Sequence, residues 1–317
     1  MSLISYIDDI FRLGYCHVKR DYSSIKDIVI QSKGDLNYAY EENGDVWGYK
    51  IAPNKPLRKL YGFDVWVVRF YFSNVDTLHN ETQESIMNTL FSNLQQEMEK
   101  IPGYYNVRLP SHIVDALKGF NKNTKNAMFC GGTVEQIIYG KSISENFHEE
   151  IKIVWPTEEY IEKNKKILSN LTYTSFESYQ GQYHISQSTD SKAGLIYENW
   201  IGGCFDNFKE NTVIIVEYKE RPIGFCIYEE GEFSVEGQLS AVDCSYRNYG
   251  GYKAMITTLI NYAQAKGKSF IASTQFDNYI SHGTWNKLGM KPFFSFYNFH
   301  FDHCKNDMEE LRSGNKR

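Results

Sequence analysis

The chain has 317 residues, 42% of them hydrophobic and 15% aromatic, which is enough for two hydrophobic cores of ordinary size. Its formal net charge of -5 argues against a nucleic acid partner, because contact with a phosphate backbone favours a positively charged surface. No stretch approaches the roughly 20 apolar residues of a membrane-spanning helix, and the first residues lack a basic start followed by an apolar run. The six cysteines form no CxxC pair and no zinc-ligand spacing. We therefore expect a cytoplasmic protein with no membrane span and no metal site.

The first half of the chain shows alternating strand and helix patterns after an irregular stretch that ends near residue 60. The predicted elements are a strand over 65–72, a helix over 81–100, a strand over 104–109, a helix that Pro110 opens and that continues through Leu117, and two short strands over 127–130 and 134–139. This order of strand, helix, strand and helix predicts a small α/β domain.

A polar segment rich in glutamate and lysine, residues 157–170, predicts a connecting helix. We place a domain boundary within it, which gives domains 1–165 and 166–317. The elements predicted for the second domain are a helix over 193–201, strands over 212–218, 223–228 and 237–242, a helix over 250–265, a strand over 270–274, a helix over 278–288 and a strand over 293–300. The two domains end their second helices on similar residues, 117–120 and 287–290, which suggests a duplicated architecture.

Residues 241–253 place two glycines where the long helix of the second domain begins. Free N–H groups and the positive end of the helix dipole make such a helix start an anion site, and glycine lets phosphate oxygens approach the main chain. Arg247 adds positive charge. The segment is therefore suited to a pyrophosphate, although the same residues also occur in an ordinary tight turn with a surface arginine.

This segment resembles the coenzyme A pyrophosphate loop of the GNAT acyltransferase superfamily, Arg/Gln-x-x-Gly-x-Gly/Ala. Arg247 and Gly250 match it, whereas Tyr252 departs from its last position. Downstream, Asn278 and the helix that ends in residues 285–290 resemble the superfamily's closing element, Asn-x-x-Ala…Tyr-x-x-Leu-Gly-Phe. The resemblance implies a GNAT fold for the second domain, with a mixed, mostly antiparallel sheet and flanking helices, and a GNAT-like half in the smaller N-terminal α/β domain.

The resemblance also implies the donor and the residues that bind it. The donor is acyl-CoA, either acetyl-CoA or a short substituted acyl-CoA, without a metal. The residues expected to bind it are Ala241, Val242, Arg247, Asn248, Tyr249, Gly250, Gly251, Tyr252, Asn278 and Trp285. Ala241 and Val242 would act through their main chain, on a strand that splays from its neighbour and holds the pantetheine amides. Asn278 is equally suited to cap its helix.

Three further segments look like the sugar-nucleotide branch typified by TDP-fucosamine acetyltransferase, namely residues 60–64, 183–201 and 296–300. Asp64 departs from the proline of that branch. The likeness implies an acceptor that is a nucleotide-linked amino-dideoxy sugar, carried on dTDP, as used for O-antigen or other surface polysaccharides. Tyr183 and His184 would contact the sugar, and the first domain would contribute to the acceptor side.

Aminolysis of a thioester needs a neutral amine, a polarised carbonyl and a proton for the departing thiolate. The superfamily often uses a tyrosine seven residues after the asparagine, but this position is Trp285, and an indole N–H is not a proton source. The remaining candidates are Ser281 and His282 for the acid, and Asp243, Glu229 and His184 for the base. Asp243 is also typical of a carboxylate that stabilises a turn.

Two other functions stay open on the sequence alone. One is acyl transfer to another amine, such as an antibiotic, a polyamine or a peptide. The other is a catalytically silent module that binds acyl-CoA, which the tryptophan at position 285 favours. An acyl-cysteine route is disfavoured because nothing near Cys244 marks a lowered thiol pKa. The aromatic last strand leaves a homodimer open.

Overall fold

The computed structural model describes residues 36–42, 45–72, 81–111, 114–144, 147–176, 181–206, 208–209, 212–231 and 234–303. Within these residues, eleven strands form one mixed sheet, and α-helices cover both of its faces. The α/β class and the mixed, mostly antiparallel sheet predicted from the sequence are thereby confirmed.

The strands are β1 (Tyr38–Glu42), β2 (Asp45–Pro53), β3 (Val65–Phe72), β4 (Tyr104–Pro110), β5 (Met128–Ile138), β6 (Ile151–Val154), β7 (Val213–Tyr218), β8 (Arg221–Glu230), β9 (Ser234–Val242), β10 (Ser269–Gln275) and β11 (Lys291–Asp302). The helices are α1 (Lys55–Tyr61), α2 (Glu81–Lys100), α3 (Val114–Asn123), α4 (Glu158–Phe176), α5 (Gln187–Asp190), α6 (Ala193–Asp206), α7 (Gly251–Ala265) and α8 (Tyr279–Lys287). Two 3₁₀ turns, Gln182–His184 and Cys244–Tyr249, precede α5 and α7.

The strand order in the sheet is β1-β2-β3-β4-β11-β5-β10-β9-β8-β7-β6. Only the β3–β4 and β9–β10 pairs are parallel, and all other neighbours are antiparallel. The last strand, β11, lies between β4 and β5, so the two halves of the chain interlock at the centre of the sheet.

The topology repeats within the chain. The order β3-α2-β4-α3-β5 in the first half has the same form as β9-α7-β10-α8-β11 in the second, with a parallel pair joined by a helix and followed by a helix and a long strand. The long strands are exchanged, because β5 pairs with β10 of the second half and β11 pairs with β4 of the first. The duplicated architecture suggested by the sequence echo is present in this form.

Both parallel pairs open into a V. Residues 234–237 of β9 pair with residues 269–272 of β10, and beyond this point the two strands separate. In the first half, residues 65–68 pair with residues 104–107 before β3 and β4 diverge. The β9–β10 opening is the splay expected for the donor site.

The helices on the two faces of the sheet pack against it through separate hydrophobic cores. On one face, α2 and α3 pack on β4 and β11, and α7 packs on β7, β8 and β10 through a stripe that includes Met255, Leu259 and Ala263. On the other face, α4 and α6 cover β7 and β8 through Leu168 and Phe205. Helix α1 lies on that face too, against β4. We call the side covered by α1, α4 and α6 the acceptor face, because Tyr183, which was predicted to contact the acceptor, packs there beside α1.

Two predicted elements are wrong in detail. Pro110 ends β4 instead of opening a helix, because the ladder to β11 continues to the Phe296–Pro110 pair; α3 begins only at Val114. The two short strands predicted over 127–130 and 134–139 are one strand, β5, in which Gly131 adopts a φ of 85° that keeps the chain in the sheet through an irregularity. The connecting helix runs from Glu158 to Phe176 and contains the predicted boundary at 165/166, so the division into domains 1–165 and 166–317 stays a prediction.

Candidate acyl-transfer site

The separated part of β9 forms one wall of the site. Residues 239–242 pair with β8 on one side, but on the other side residues 238–242 have left β10 and line a cavity of about 2370 Å³. Ala241 and Val242, predicted to bind the donor through their main chain, belong to this wall. A strand edge without a neighbouring strand can receive the amide groups of an extended ligand.

The loop after β9 leads into α7 through a left-handed glycine. Gly250 has a φ of 84°, a conformation that an L-residue adopts only with strain, and it precedes α7 without any side-chain cap. Gly251 is packed under the sheet, since an added Cβ would lie 3.3 Å from Val216 Cγ2. The first-turn N–H groups of α7 are therefore left without a capping side chain, as an anion site requires.

Two cations flank this helix start. Arg247 and Lys253 are exposed and line the cavity, and neither forms a salt bridge within the part of the chain that the structure describes. Asn248 lines the cavity as well, whereas Tyr249 packs its ring 4.7 Å from that of Tyr218 and is not among the lining residues. The sequence reasoning missed Lys253, although its place in the first turn of α7 pointed to it.

Asp243 stabilises the turn before α7, which is the structural role that the sequence allowed besides that of a base. Its Oδ1 accepts a hydrogen bond from the Ser245 N–H at 2.9 Å and caps the 3₁₀ turn before α7. It is not among the residues that line the cavity. Its assignment as a base stays a prediction that this geometry does not favour.

Asn278 caps α8 and still faces the cavity. Its Oδ1 accepts from the Ser281 N–H at 3.3 Å, and its Nδ2 donates to Thr274 Oγ1 at 2.8 Å. Asn278 and Ser281 both line the cavity. The capping role is therefore present, and a contact with the donor stays a prediction.

Two of the residues that depart from the GNAT patterns, Tyr252 and Trp285, are in contact. Trp285 is 2% exposed, and its indole N–H donates a hydrogen bond to the Tyr252 hydroxyl at 2.9 Å. Burial raises the pKa of Tyr252 to about 12, against the hydrogen-bonding effects of Ser281, Trp285 and Ser240, which lower it. Tyr252 is therefore a neutral phenol at physiological pH.

His282 has both ring nitrogens engaged. Its Nε2 lies 3.0 Å from the Gln275 carbonyl oxygen, to which it can only donate, and its Nδ1 then accepts from the Gln136 amide at 3.2 Å. The ring is not among those that line the cavity, and it packs on Trp285. This arrangement leaves the catalytic role of His282 a prediction without geometric support.

Polar side chains from two distant strands form the floor of the cavity on the acceptor face. Asn106 of β4 and Asn298 and His300 of β11 are each less than 9% exposed, and they line the cavity together. Asn106 Oδ1, Asn298 Oδ1 and His300 Nε2 are buried and have no hydrogen-bond partner among the described residues. Burial, with a smaller effect of Arg108, lowers the pKa of His300 to about 3, so its ring is neutral. Because the Tyr104 hydroxyl lies 2.6 Å from His300 Nδ1, we assign the ring proton to Nε2, where it can be donated.

Of the two residues predicted to bind the acceptor, Tyr183 joins this floor. Its ring lies 5.6 Å from that of His300, and its hydroxyl accepts a hydrogen bond from Asn106 Nδ2 at 3.4 Å. His184 is instead held by Asp190, 3.0 Å from its Nδ1, and it is not among the lining residues. Glu229 is exposed and lines the cavity.

The sequence reasoning missed the floor itself. The sequence pattern that could have predicted the floor is the alternation of polar and apolar residues within otherwise apolar strands. It occurs in Asn-Val-Arg at 106–108 and in Asn-Phe-His at 298–300. No helix in the described residues is long and apolar enough to cross a membrane, and no metal-ligand cluster of three or more His, Cys, Asp or Glu residues is found in the same part of the chain.

Comparison with known proteins gives the same fold. Residues 173–290 match the model of the acetyltransferase (GNAT) family. The chain is similar to a GCN5-related N-acetyltransferase from Sphaerobacter thermophilus at 10% identity, over 88% of this chain and 85% of that one, with a TM-score of 0.55. A GCN5-related N-acetyltransferase from Kribbella flavida (8% identity, 90% and 96% covered, TM-score 0.51) and a GNAT-family acetyltransferase from Colwellia psychrerythraea (11%, 95% and 98%, 0.51) are similar as well. No curated protein matches the sequence.

Proposed function

We infer that the chain, whose residues 173–290 belong to the acetyltransferase (GNAT) family, is an acyl-CoA-dependent N-acyltransferase. The observation that carries this inference is the start of α7. Its N–H groups have no side-chain cap, and Arg247 and Lys253 stand beside them as cations outside any salt bridge with the described residues. This is the arrangement that binds a diphosphate, because the helix dipole and the two side chains all favour negative charge.

The β9–β10 opening supports a defined path for the rest of the donor. From the α7 start, the free edge of β9 leads back along residues 242–238 to Gly237, where β10 joins it. Pantetheine is the length of chain between the diphosphate and the thioester, and its amide groups suit this edge. We propose that the thioester lies near Gly237, next to the floor of the acceptor face.

Direct attack of the amine is the favoured route. The neutral amine attacks the thioester carbonyl, the C–S bond breaks, and the products are an amide and the CoA thiol. A covalent acyl-cysteine is disfavoured because burial raises the thiol pKa of both cysteines that line the cavity among the described residues, Cys204 and Cys226, and takes that of Cys226 to about 12. Both substrates therefore have to be bound together.

For the acceptor, we propose a nucleotide-linked amino-dideoxy sugar, carried on dTDP. The floor supports this class because it presents two acceptor oxygens, on Asn106 and Asn298, and one donor, on His300, which match sugar hydroxyl groups. The Tyr183 ring beside them offers an apolar face to a sugar or base. Arg69 and Arg108 line the same cavity and favour an anionic diphosphate.

A second candidate acceptor is a cationic amine such as a polyamine. Several carboxylates line the cavity and would attract positive charge, namely Glu135, Glu198, Glu229 and Glu236. The sugar is preferred because the buried floor groups offer neutral hydrogen-bonding partners at the centre of the sheet.

The test is release of CoA thiol from acetyl-CoA and short acyl-CoAs in the presence of dTDP-linked 3-amino and 4-amino dideoxyhexoses, polyamines and peptide amines. We expect turnover with at least one nucleotide sugar. Turnover with polyamines alone would show that the acceptor is a cationic amine and not a nucleotide sugar. Tight binding of acyl-CoA with no turnover on any amine would contradict the enzyme and favour a binding module.

The donor site is tested separately with Arg247→Ala and Lys253→Ala. We expect each to weaken CoA binding roughly 10-fold or more in calorimetry, because a charge-assisted hydrogen bond contributes about 1.5–3 kcal/mol. Binding of S-acetylpantetheine, which has no diphosphate, should not change. Lys163→Ala, an exposed lysine of α4 outside the cavity lining, is the matched control.

A further inference from the structure

Tyr252 and Trp285 are two of the positions at which the chain departs from the GNAT patterns, and they are hydrogen-bonded to each other. Tyr252 is the second residue of α7, and Trp285 lies on α8. The tryptophan donates and the phenol oxygen accepts, at 2.9 Å. Both residues line the cavity. A phenol supplied from α7 thus reaches the indole of α8.

The position of this phenol is defined from both walls of the opening. Besides Trp285, the side chains that act on its ionisation are Ser281, on α8, Cys226, on β8, and Ser240, on the separated part of β9. The hydroxyl therefore lies between the β9 edge and α8. Cys226 connects this position to the expected thioester, because its Sγ lies 3.8 Å from a Cβ added at Gly237. The other tyrosines that line the cavity among the described residues are Tyr183, on the 3₁₀ turn before α5, and Tyr197, on α6.

We propose that Tyr252 is the catalytic acid that gives a proton to the departing CoA sulfur. The proposal rests on the acyl-transfer function inferred above and deepens it. Because the Trp285 N–H occupies one acceptor position of the phenol oxygen, the O–H hydrogen has to point away from the indole. Ser281 stands beside the phenol as a positioning residue.

The step balances without a further reactant. The amine nitrogen bonds to the thioester carbon, and collapse of the adduct breaks the C–S bond, with the electron pair leaving on sulfur. Tyr252 passes its proton to that sulfur and forms the CoA thiol. The resulting phenolate takes the proton that the former amine nitrogen sheds, which regenerates the tyrosine and leaves a neutral amide. Burial keeps the phenol protonated beforehand and makes the phenolate a strong base for the proton of the former amine nitrogen.

The first test exchanges the phenol between the two helices. Tyr252→Phe should lower kcat about 10²–10⁴-fold, the usual contribution of a positioned acid, which is a much larger effect than on CoA binding. Combining it with Trp285→Tyr returns a phenol from α8 and should restore at least 10-fold of the lost rate. Trp285→Phe keeps the Tyr252 phenol and loses only its orienting N–H, so its loss should be smaller. A double variant no faster than Tyr252→Phe would overturn the assignment.

The second test requires no acceptor. The thiol of bound CoA is titrated by its ultraviolet thiolate absorbance in wild type and in Tyr252→Phe. A phenol O–H that contacts sulfur stabilises the thiolate, so the wild-type complex should show the lower thiol pKa, by about 1 unit. Equal thiol pKa values would overturn the inference even if the enzyme acylates amines. A lower thiol pKa in wild type would support the Tyr252 assignment even if no amine in the panel is acylated. Failure of this assignment and failure of the proposed acyl transfer therefore give different results.

Discussion

At the scale of single residues, Gly132 on β5 makes room for Phe276, which lies between β10 and α8. A Cβ added at Gly132 would lie 2.0 Å from the Phe276 ring, and the Phe276 N–H donates to the Gly132 carbonyl at 3.0 Å. We expect Gly132→Ala to lower the free energy of unfolding by about 1–3 kcal/mol, the usual cost of overpacking. It should also weaken CoA binding, because Asn278 follows on the displaced segment. Urea unfolding and calorimetry measure the two effects.

The matched control for this substitution is Gly283→Ala on α8. Nothing lies within 4 Å of its added Cβ, and the residue is helical, so alanine should raise the free energy of unfolding by about 0.5–1 kcal/mol. A double variant with Gly132→Ala and Phe276→Ala should be more stable than Gly132→Ala alone, because the ring that clashes with the added methyl group is removed. If Gly132→Ala is as stable as wild type, the ring is free to move and the close packing does not hold the segment.

Single residues of the site could be predicted from the sequence only where they lie close together along the chain. The donor loop is contiguous, so Arg247, Asn248 and Gly250 were predicted from its resemblance to the GNAT pyrophosphate loop, and all three line the cavity. The floor is not contiguous, because Asn106 and His300 are brought together only by the β4–β11 ladder. Nothing local in either segment specifies that pairing.

At the scale of elements, Glu230 connects the end of β8 to the end of α7 and the start of β10. Its carboxylate accepts from Lys266 Nζ at 2.7 Å, Lys268 Nζ at 2.6 Å and the Tyr262 hydroxyl at 2.8 Å. Burial alone would raise the pKa of Glu230, but the bonds from Lys266, Lys268 and Tyr262 outweigh it and lower the pKa to about 2. The cluster holds α7 on the sheet at the end opposite to the anion site.

A lowered carboxyl pKa means that the stabilisation is complete above the unfolded value of 4.5 and is lost as the pH falls towards 2. We expect Glu230→Gln to be less stable than wild type by about 1 kcal/mol at pH 7, the scale of a partly exposed ion pair. The difference should vanish near pH 2. Urea unfolding from pH 7 to pH 2 measures it, and Glu84→Gln, whose carboxylate is 57% exposed, is the control. A difference that does not depend on pH would show that lost packing, not charge, is responsible.

Most elements follow from local patterns, and the exceptions have a tertiary cause. The helix over 81–100 was predicted to the residue because its apolar positions recur at helical spacing. Pro110 was misassigned because a proline that opens a helix and one that ends a strand have the same local sequence, and pairing with β11 decides between them. Strand β5 was divided at Gly131 and Gly132 because glycines interrupt a β pattern, whereas its neighbours on both sides keep it continuous.

At the scale of the whole molecule, the exchanged strands determine how the chain unfolds. β11 has β4 and β5 as neighbours, and β10 has β5, so the central ladders all join the first half to the second. Removing either half would expose the edges of two central strands. The acceptor floor depends on the same exchange, because it combines side chains of β4 and β11. Stability and the acceptor site are thus properties of the undivided sheet.

We therefore expect one cooperative unfolding transition, even though the sequence predicts domains 1–165 and 166–317. Single-tryptophan variants that keep Trp66 or Trp285 report on the first and second halves, and their urea transitions should coincide. Chains 1–140 and 141–317, cut at Gly140 after β5, should each fail to fold alone, because β10 and β11 lose β5 and β4 loses β11. Mixed together, they should associate and regain CoA binding. Two separate transitions, or a 141–317 fragment that folds and binds CoA by itself, would instead mean that the second half is an independent domain and that the strand exchange adds little to its stability.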